Sequence, residues 1–306
     1  MINIYILTNH HIIFMKHLFL TLFSVCLVGY LNAQESDPSN WMQSYGSSIG
    51  FEVGKTYYSL VSDANLREKT NTQSMVLTKL PIASKIEILS VSTDSLSLKG
   101  VKLPWVQVKT AVGGKVYTGY LWGGFLALAS IQTPNEEYTP NAGVLYLTGV
   151  SAYDEAKHLL TVQVRAAKDG KELAKCEFTT NGDLSYYPEF AIRFEPFKNV
   201  KGVLTVNYYY PACGYPAGDN VIFWLENNQM IKVLETSSIS DGGVFYSAED
   251  YLMPSDKGGI GDHILVVRDQ SEFEEGDNGP VRTAQKYSLT LHKWNGVKLV
   301  KMKDWK

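Results

Sequence analysis

The chain has 306 residues, of which 45% are hydrophobic and 19% are charged, a composition typical of globular proteins and unlike that of disordered chains. Its 28 basic and 31 acidic side chains leave a net charge of -3, which excludes the strongly basic balance of proteins that bind nucleic acid. The length predicts two domains, because single cores seldom grow past about 200 to 250 residues.

Residues 1–33 have the pattern of a secretory signal peptide. An uncharged apolar run, Leu18–Tyr30, follows a short polar and basic lead that starts at Met15, which we take as the true start. The run of about 13 residues is shorter than the roughly 20 that a membrane span needs. The sequence therefore predicts an exported protein, periplasmic or secreted, that is cleaved near Ala33–Gln34 and has no stable membrane span when mature.

After a polar linker at 34–53, residues 54–128 carry the pattern of a small β-barrel. Short runs such as Lys85–Val91 and Trp105–Lys109 alternate apolar and polar side chains, which indicates β-strands. Gly113–Gly114 then predicts a tight hairpin, since glycine accepts the positive φ that such turns require.

Five segments of this region, in order, resemble the bacterial SH3 domain family, from its "lnvR" opening to its "G-W-V" closing strand. They are Ala64–Glu68, Ser74–Leu80, Lys85–Leu89, Trp105–Val108 and Gly119–Trp122. The chain departs from the family in a longer loop at 94–103 and in the ending Leu121–Phe125. The resemblance implies an SH3-like barrel that binds cell-wall or other peptides and tethers a second domain.

The resemblance also implies where a ligand binds. The loop after Leu66 and the face that carries Trp105, Tyr120 and Trp122 are expected to form an aromatic groove for an extended peptide, with Arg67 as a further contact. The alternative is that both tryptophans fill the barrel core, as large aromatics usually do, and that Arg67 is a turn or surface residue.

A linker with prolines at 129–140 separates this barrel from a larger β-rich domain at 141–306. Turn dipeptides between alternating runs predict two hairpins, one with Asp169–Gly170 at its tip and one with Asn295–Gly296. Further strands are predicted at Val203–Tyr210, Val221–Leu225, Met230–Leu234 and Ile264–Arg268, with Asn227–Asn228 linking the middle two, and a short helix near Ser247–Leu252. The predicted fold class is all-β, or mainly β, with a β-sandwich or open β-sheet following the barrel.

Two cysteines remain after the leader, Cys176 and Cys213. In an oxidising compartment they form a single disulfide or stay as two buried free thiols, and the sequence leaves both open. Because neither has a Cys-x-x-Cys partner or clustered histidines beside it, no metal site is predicted there.

A cell-wall peptidase of the papain type needs a cysteine at a helix start and a histidine base. Cys213, His263 and His292 occur in that order, but Pro211 and Pro216 around the cysteine prevent the helix whose dipole would stabilise a thiolate. We therefore predict no catalytic residues and no enzyme activity.

Two further metal candidates are weighed against ordinary structural roles. His158, His263 and His292 show no i, i+4 pairing, so no zinc site is assigned. The acidic, glycine-rich run 256–262 contains Lys257 where calcium ligands would be needed, which favours an ordinary loop. The sequence thus assigns neither a metal nor a cofactor, and it leaves open whether the loop at 256–262 holds calcium.

These features together predict an exported, non-enzymatic binding or scaffolding protein of a bacterial envelope. Its expected partner is peptidoglycan peptide or an envelope protein, and its oligomeric state stays open. One alternative is a cell-wall hydrolase that uses the SH3 module for targeting, and another is a purely structural spacer.

Overall fold

A computed structural model describes residues 50–137, 141–182, 187–209, 214, 216–276 and 279–305. Within this part of the chain there are nineteen strands and one short 3-10 helix, Gly123–Phe125, so the predicted all-β class is confirmed. The predicted leader with its cleavage site Ala33–Gln34 lies outside the described residues, as does most of the 34–53 linker. Residues 46–306 make up a single compact unit.

The first sheet is a six-stranded half-barrel that falls within the predicted SH3-like region. Its strands are β1 (Thr56–Tyr58), β2 (Ala64–Arg67), β3 (Val76–Leu80), β4 (Lys85–Leu98), β5 (Val101–Val112) and β6 (Lys115–Trp122). They pair antiparallel in the order β1-β4-β5-β6-β2-β3. Alternating side chains such as Ile86 and Ile88 are fully buried, which is why the period of two in the sequence located these strands.

Three more antiparallel sheets follow. The second sheet, in the order β10-β9-β8-β7, contains β7 (Ala129–Gln132), β8 (Leu145–Asp154), β9 (Leu159–Lys168) and β10 (Lys171–Asn181). The third, β11-β12-β13-β14, contains β11 (Tyr187–Arg193), β12 (Val200–Tyr209), β13 (Gly218–Leu225) and β14 (Met230–Glu235). The fourth, β15 through β19 in chain order, contains β15 (Ser238–Asp241), β16 (Phe245–Leu252), β17 (His263–Gly276), β18 (Gly279–Trp294) and β19 (Leu299–Trp305).

The hairpins predicted from turn dipeptides are confirmed. Gly113–Gly114 joins β5 to β6, Asp169–Gly170 joins β9 to β10, and Asn295–Gly296 lies between β18 and β19. Asn227–Asn228 links β13 to β14, with Asn228 at a φ of 65°. Each of these turns contains a residue at positive φ, a conformation that glycine and asparagine adopt at low cost.

Two segments differ from the expected local structure. The helix predicted at Ser247–Leu252 is wrong, because this segment belongs to β16 and pairs with β15 on one side and β17 on the other. Cross-strand pairing outweighs the modest helix propensity of the segment. Residues 129–132 of the predicted linker form β7, whose Ala129 lies opposite Thr148 of β8.

The third sheet is buried on both faces. Ile222 and Trp224 of β13 belong to the apolar cluster shared with the second sheet. Val221 and Phe223 point the other way, into the cluster shared with the fourth sheet. This double burial accounts for the uninterrupted apolar run of β13, since a strand covered on both faces has no polar side to present.

The half-barrel packs against the other face of the second sheet. Leu60 and Ile82 from the half-barrel region share a cluster with Leu145, Leu147 and Ala167 of β8 and β9. The half-barrel, second sheet, third sheet and fourth sheet are thus joined in succession, and core residues of the half-barrel also belong to the cluster between the second and third sheets. Each neighbouring pair is joined by apolar side chains, and this burial is the main source of stability.

Candidate functional site

The outward face of the half-barrel brings two of the predicted ligand residues together. The strand register places Ser90, Gln107, Tyr120 and Arg67 in one row across β4, β5, β6 and β2. Opposed residues of antiparallel strands project to the same side of a sheet, and all four are at least partly exposed. We call these four residues the barrel row; Gln107 was not anticipated from the sequence.

Arg67 also fixes the loop beside the barrel row. Its guanidinium Nη1 donates a hydrogen bond to the carbonyl of Ser74, at 2.6 Å. The backbone N–H of Lys69 donates to the Ser74 hydroxyl at 2.8 Å, so the loop from β2 to β3 is held at both ends. A guanidinium has five N–H donors, so Arg67 retains donors for a ligand.

The other two predicted ligand residues are core side chains. Trp105 and Trp122 lie opposite each other on β5 and β6 and are only 4% and 5% exposed. The Trp122 indole Nε1 donates to the carbonyls of Leu96 and Leu103, at 2.9 and 3.2 Å, which satisfies the polar atom of a buried indole. The sequence left open whether the two tryptophans line a ligand groove or fill the barrel core, and their burial corresponds to the second possibility.

Two glycines allow close packing within the half-barrel. A Cβ on Gly119 would lie 2.6 Å from the backbone oxygen of Arg67 and 2.8 Å from a side-chain carbon of Leu77. A Cβ on Gly124 would lie 2.3 Å from the Trp122 ring. Gly119 of the closing strand motif is thus favoured, because β6 approaches β2 too closely there to leave room for a side chain.

The longer loop at 94–103 is an extension of the β4–β5 hairpin. Leu98 pairs with Val101, and Lys99 and Gly100 form the turn at positive φ. The tip docks on the second sheet, where the N–H of Tyr153 donates to the Lys99 carbonyl at 2.9 Å. The departure from the SH3 pattern therefore joins the half-barrel to its neighbouring layer.

The same extension borders the barrel row. The Thr70 hydroxyl donates to the carboxylate of Asp94, which connects the β2–β3 loop to the far end of β4. The β2–β3 loop beside Arg67 is thus tied by this bond to the extended part of β4.

The acidic run 256–262 is held by ion pairs within the chain. Asp256 pairs with the Arg193 guanidinium and accepts a hydrogen bond from the Met253 N–H at 2.8 Å. Burial by itself would raise the Asp256 pKa, but Arg193 and the Met253 N–H outweigh it and the pKa is lowered. Buried Glu195 accepts from the Ser255 N–H and hydroxyl at 2.9 and 2.6 Å. The network makes this run a structural loop.

No metal-binding group emerges from the described residues: nowhere in them do three or more His, Cys, Asp or Glu side chains assemble to hold an ion. His263 Nδ1 lies 2.7 Å from the Asp262 carboxylate. Burial, followed by the Lys301 charge, lowers the pKa of His292. Cys213, the candidate nucleophile of the cell-wall peptidase alternative, lies outside the described residues.

Cys176 is a buried free thiol on β10, and its expected disulfide partner Cys213 lies outside the described residues. Burial raises the pKa of the Cys176 thiol, which disfavours the thiolate needed for nucleophilic chemistry. An open cleft of about 360 Å³ beside it is lined by Arg165, Glu177 and Met230 among others. Arg165 is already paired with Glu172, so this cleft presents no free guanidinium.

Comparisons with known proteins give no assignment: no family model matches the chain, and neither a curated protein nor a solved structure matches it. The part of the chain that the structure describes contains no helix long and apolar enough to cross a membrane.

Proposed function

We propose that this chain is an exported, non-enzymatic binding protein of a bacterial envelope. In this proposal the half-barrel resembles a bacterial SH3 module and recognises an extended peptide from peptidoglycan or from an envelope protein. The observation that carries the proposal is the barrel row, in which a tyrosine ring, a glutamine amide and a guanidinium lie side by side on the outward face of the half-barrel.

The chemistry of the barrel row suits a peptide ligand. Tyr120 offers a ring face with a polar tip, which is the side chain most suited to partly wet contact surfaces. Gln107 supplies both a donor and an acceptor for a peptide backbone, and the guanidinium of Arg67 pairs well with a carboxylate. Trp105 and Trp122 follow the row on the same side of β5 and β6 but are buried, so they would flank the ligand site rather than contact the ligand.

The stacked sheets support the scaffolding part of the proposal. The half-barrel is joined to the second sheet by apolar packing and by the docked tip at Lys99 and Gly100. A ligand held by the barrel row would therefore be held at a fixed position relative to the other three layers.

Retention of the exported chain on purified peptidoglycan and on soluble wall peptide tests the proposal. Tyr120→Ser and Gln107→Ala should each weaken binding by about tenfold if the row is the contact surface, because central aromatic contacts dominate such interfaces. Lys115→Ala, at the distant β5–β6 turn, is the matched control and should bind like the wild type. Retention that is equal in all four proteins would show that the row is not the site.

A wall-digestion assay separates the alternatives. A hydrolase would release wall fragments in a manner that Cys213→Ala abolishes, whereas the proposed binding protein releases none. Failure to bind wall material and failure to capture an envelope protein would together favour the spacer.

A further inference from the structure

The side-chain amide of Asn220 is buried between the second and third sheets. Asn220 lies on β13 two residues before Ile222, so both side chains project toward the second sheet. Asn220 is 0% exposed, and within the part of the chain that the structure describes neither its amide nitrogen nor its amide oxygen has a hydrogen-bond partner. Buried amides are normally paired, because an unpaired one carries the full penalty of desolvation. This position therefore points to a further bond at the amide.

Two charged side chains of β14 lie on the same side of the third sheet as Asn220. The register places Glu235 directly opposite Asn220 and Lys232 opposite Ile222, and opposed residues of antiparallel strands project to the same side. Lys232 is thus the diagonal neighbour of Asn220. Diagonal neighbours have Cα atoms roughly 7 to 8 Å apart, which is within reach of a long side chain such as that of lysine.

A β-bulge produces this arrangement. In a regular strand, residues three apart such as Lys232 and Glu235 project to opposite sides. The register shift between Val221 and Ile222 makes Val233 an extra residue of β14, and the two charged side chains consequently share the side that faces the second sheet. Bulges occur often beside active sites, where they re-aim a side chain.

Contacts with β10 hold both charged groups in place. Lys232 Nζ lies 2.7 Å from Glu235 Oε2, donates to the Thr179 carbonyl at 3.3 Å and lies 5.0 Å from the centre of the Phe178 ring. Thr180 Oγ1 donates to Glu235 Oε1 at 3.1 Å. The side chains of Lys232 and Glu235 are 24% and 36% exposed. The amine and the carboxylate are therefore fixed beside each other at the edge of the two sheets, next to the buried amide.

We propose that Lys232 and Asn220 are joined by a covalent amide bond that forms within the folded chain. Glu235 accepts a proton from the Lys232 ammonium, which exposes the lone pair of Nζ. Nζ attacks Cγ of Asn220, and the bond between Cγ and the amide nitrogen breaks. A second Nζ proton passes to the leaving nitrogen, which departs as ammonia, and Glu235 then releases its proton to solvent. The reaction balances without an oxidant or any other reactant.

The fold supplies what this reaction requires. Amides react with amines very slowly in water, whereas groups held in place within one molecule reach effective concentrations of about 10⁵ to 10⁸ M. Glu235 contacts the amine and lies opposite the amide, so one carboxylate serves both nitrogens. An ordinary ion pair between Lys232 and Glu235 explains neither the unpaired amide of Asn220 nor the bulge.

Tryptic mapping of the full exported chain by mass spectrometry tests the proposal. Trypsin cleaves an unlinked chain after Lys232 and releases peptide 202–232 at its full mass. It cannot cleave after an acylated lysine, so the linked chain should give peptide 202–257 instead, lighter than its sequence by one ammonia, about 17 Da. A wild type that is cleaved normally after Lys232, with peptide 202–232 at full mass, overturns the proposal.

Three variants test the assigned roles. Lys232→Arg retains the positive charge but has no amine to acylate, so it should be cleaved at this position and show no loss of mass. Glu235→Gln retains both partners and removes the proton carrier, so the linked fraction should fall at least about tenfold. Lys175→Arg, at an exposed position of β10, is the control and should still give the lighter peptide 202–257. A loss of ammonia that persists in Lys232→Arg, or full linkage in Glu235→Gln, contradicts the assignment.

Discussion

Phe223 of the third sheet and Trp294 of the fourth sheet pack edge to face, with ring centroids 4.9 Å apart and planes inclined by 72°. The Trp294 indole N–H donates to the Lys198 carbonyl at 2.8 Å, so its polar atom is satisfied as well. This pair joins two layers whose residues are far apart in the sequence. The contact is one way in which aromatic side chains hold the third and fourth sheets together.

Trp294→Ala should lower the free energy of unfolding by about 3 to 5 kcal/mol, because it leaves a cavity beside Phe223 and an unpaired carbonyl at Lys198. Trp294→Phe should cost less, since it keeps most of the ring contact. Urea denaturation followed by circular dichroism measures both. Similar unfolding of Trp294→Ala and wild type would mean that the two sheets do not depend on this contact.

Gly119→Ala should destabilise the half-barrel, because the new Cβ would lie 2.6 Å from the Arg67 backbone oxygen. We expect a loss of about 1 to 3 kcal/mol as β2 and β6 move apart. Gly242→Ala, at a position with open space around it, is the matched control and should unfold like the wild type. Thermal melting of both variants provides the comparison.

The Arg193–Asp256 ion pair predicts sensitivity to acid. The folded protein lowers the Asp256 pKa from its usual value of 3.8, so the carboxylate contributes stability that is fully present above pH 3.8. That contribution is lost as the pH falls through the lowered pKa. Asp256→Asn should be less stable near neutral pH, and its denaturation midpoint should decline less than the wild type's midpoint below pH 4. Parallel slopes for the two proteins would exclude this carboxylate as the cause.

His292 predicts a second pH dependence at milder acidity. Burial, and then the Lys301 charge, lower its pKa from the usual 6.5, so the unfolded chain takes up a proton before the folded chain does. Stability should therefore decrease as the pH falls from about 7 through 6.5 and on to the lowered pKa. His292→Gln removes the titrating ring and should flatten the denaturation midpoint between pH 7 and 5. His158→Gln, which alters an exposed histidine, should retain the wild-type dependence.

Local features of this fold were predictable because they depend on neighbouring residues. Asp169–Gly170, Asn295–Gly296 and Gly113–Gly114 accept positive φ, and the flanking runs alternate with a period of two, so hairpins followed directly from the sequence. The all-β class follows from the same patterns. The exception is Ser247–Leu252, whose strand state depends on pairing with β15 and β17.

Part of the candidate site was also readable, and the rest depended on packing. The sequence identified Arg67 and Tyr120, which the register places side by side, but it could not separate them from Trp105 and Trp122. Alternation in a strand tells which residues share a side, whereas distant segments decide which side is covered. The Trp122 indole is held by the backbone carbonyls of Leu96 and Leu103 and packs against the Phe125 ring, and these contacts come from segments distant in the sequence as well as from its neighbour.

By itself, the sequence determined the strands, their turns and the alternation of their side chains, since these arise from interactions within a few residues. Only the tertiary structure decided the order of the layers, the burial of both tryptophans and the exposure of Leu265 and Leu291. The physical reason is that burial depends on which apolar surface meets which. Which apolar surfaces pack together depends on the free energy of the whole assembly of sheets and not on the sequence of any one strand.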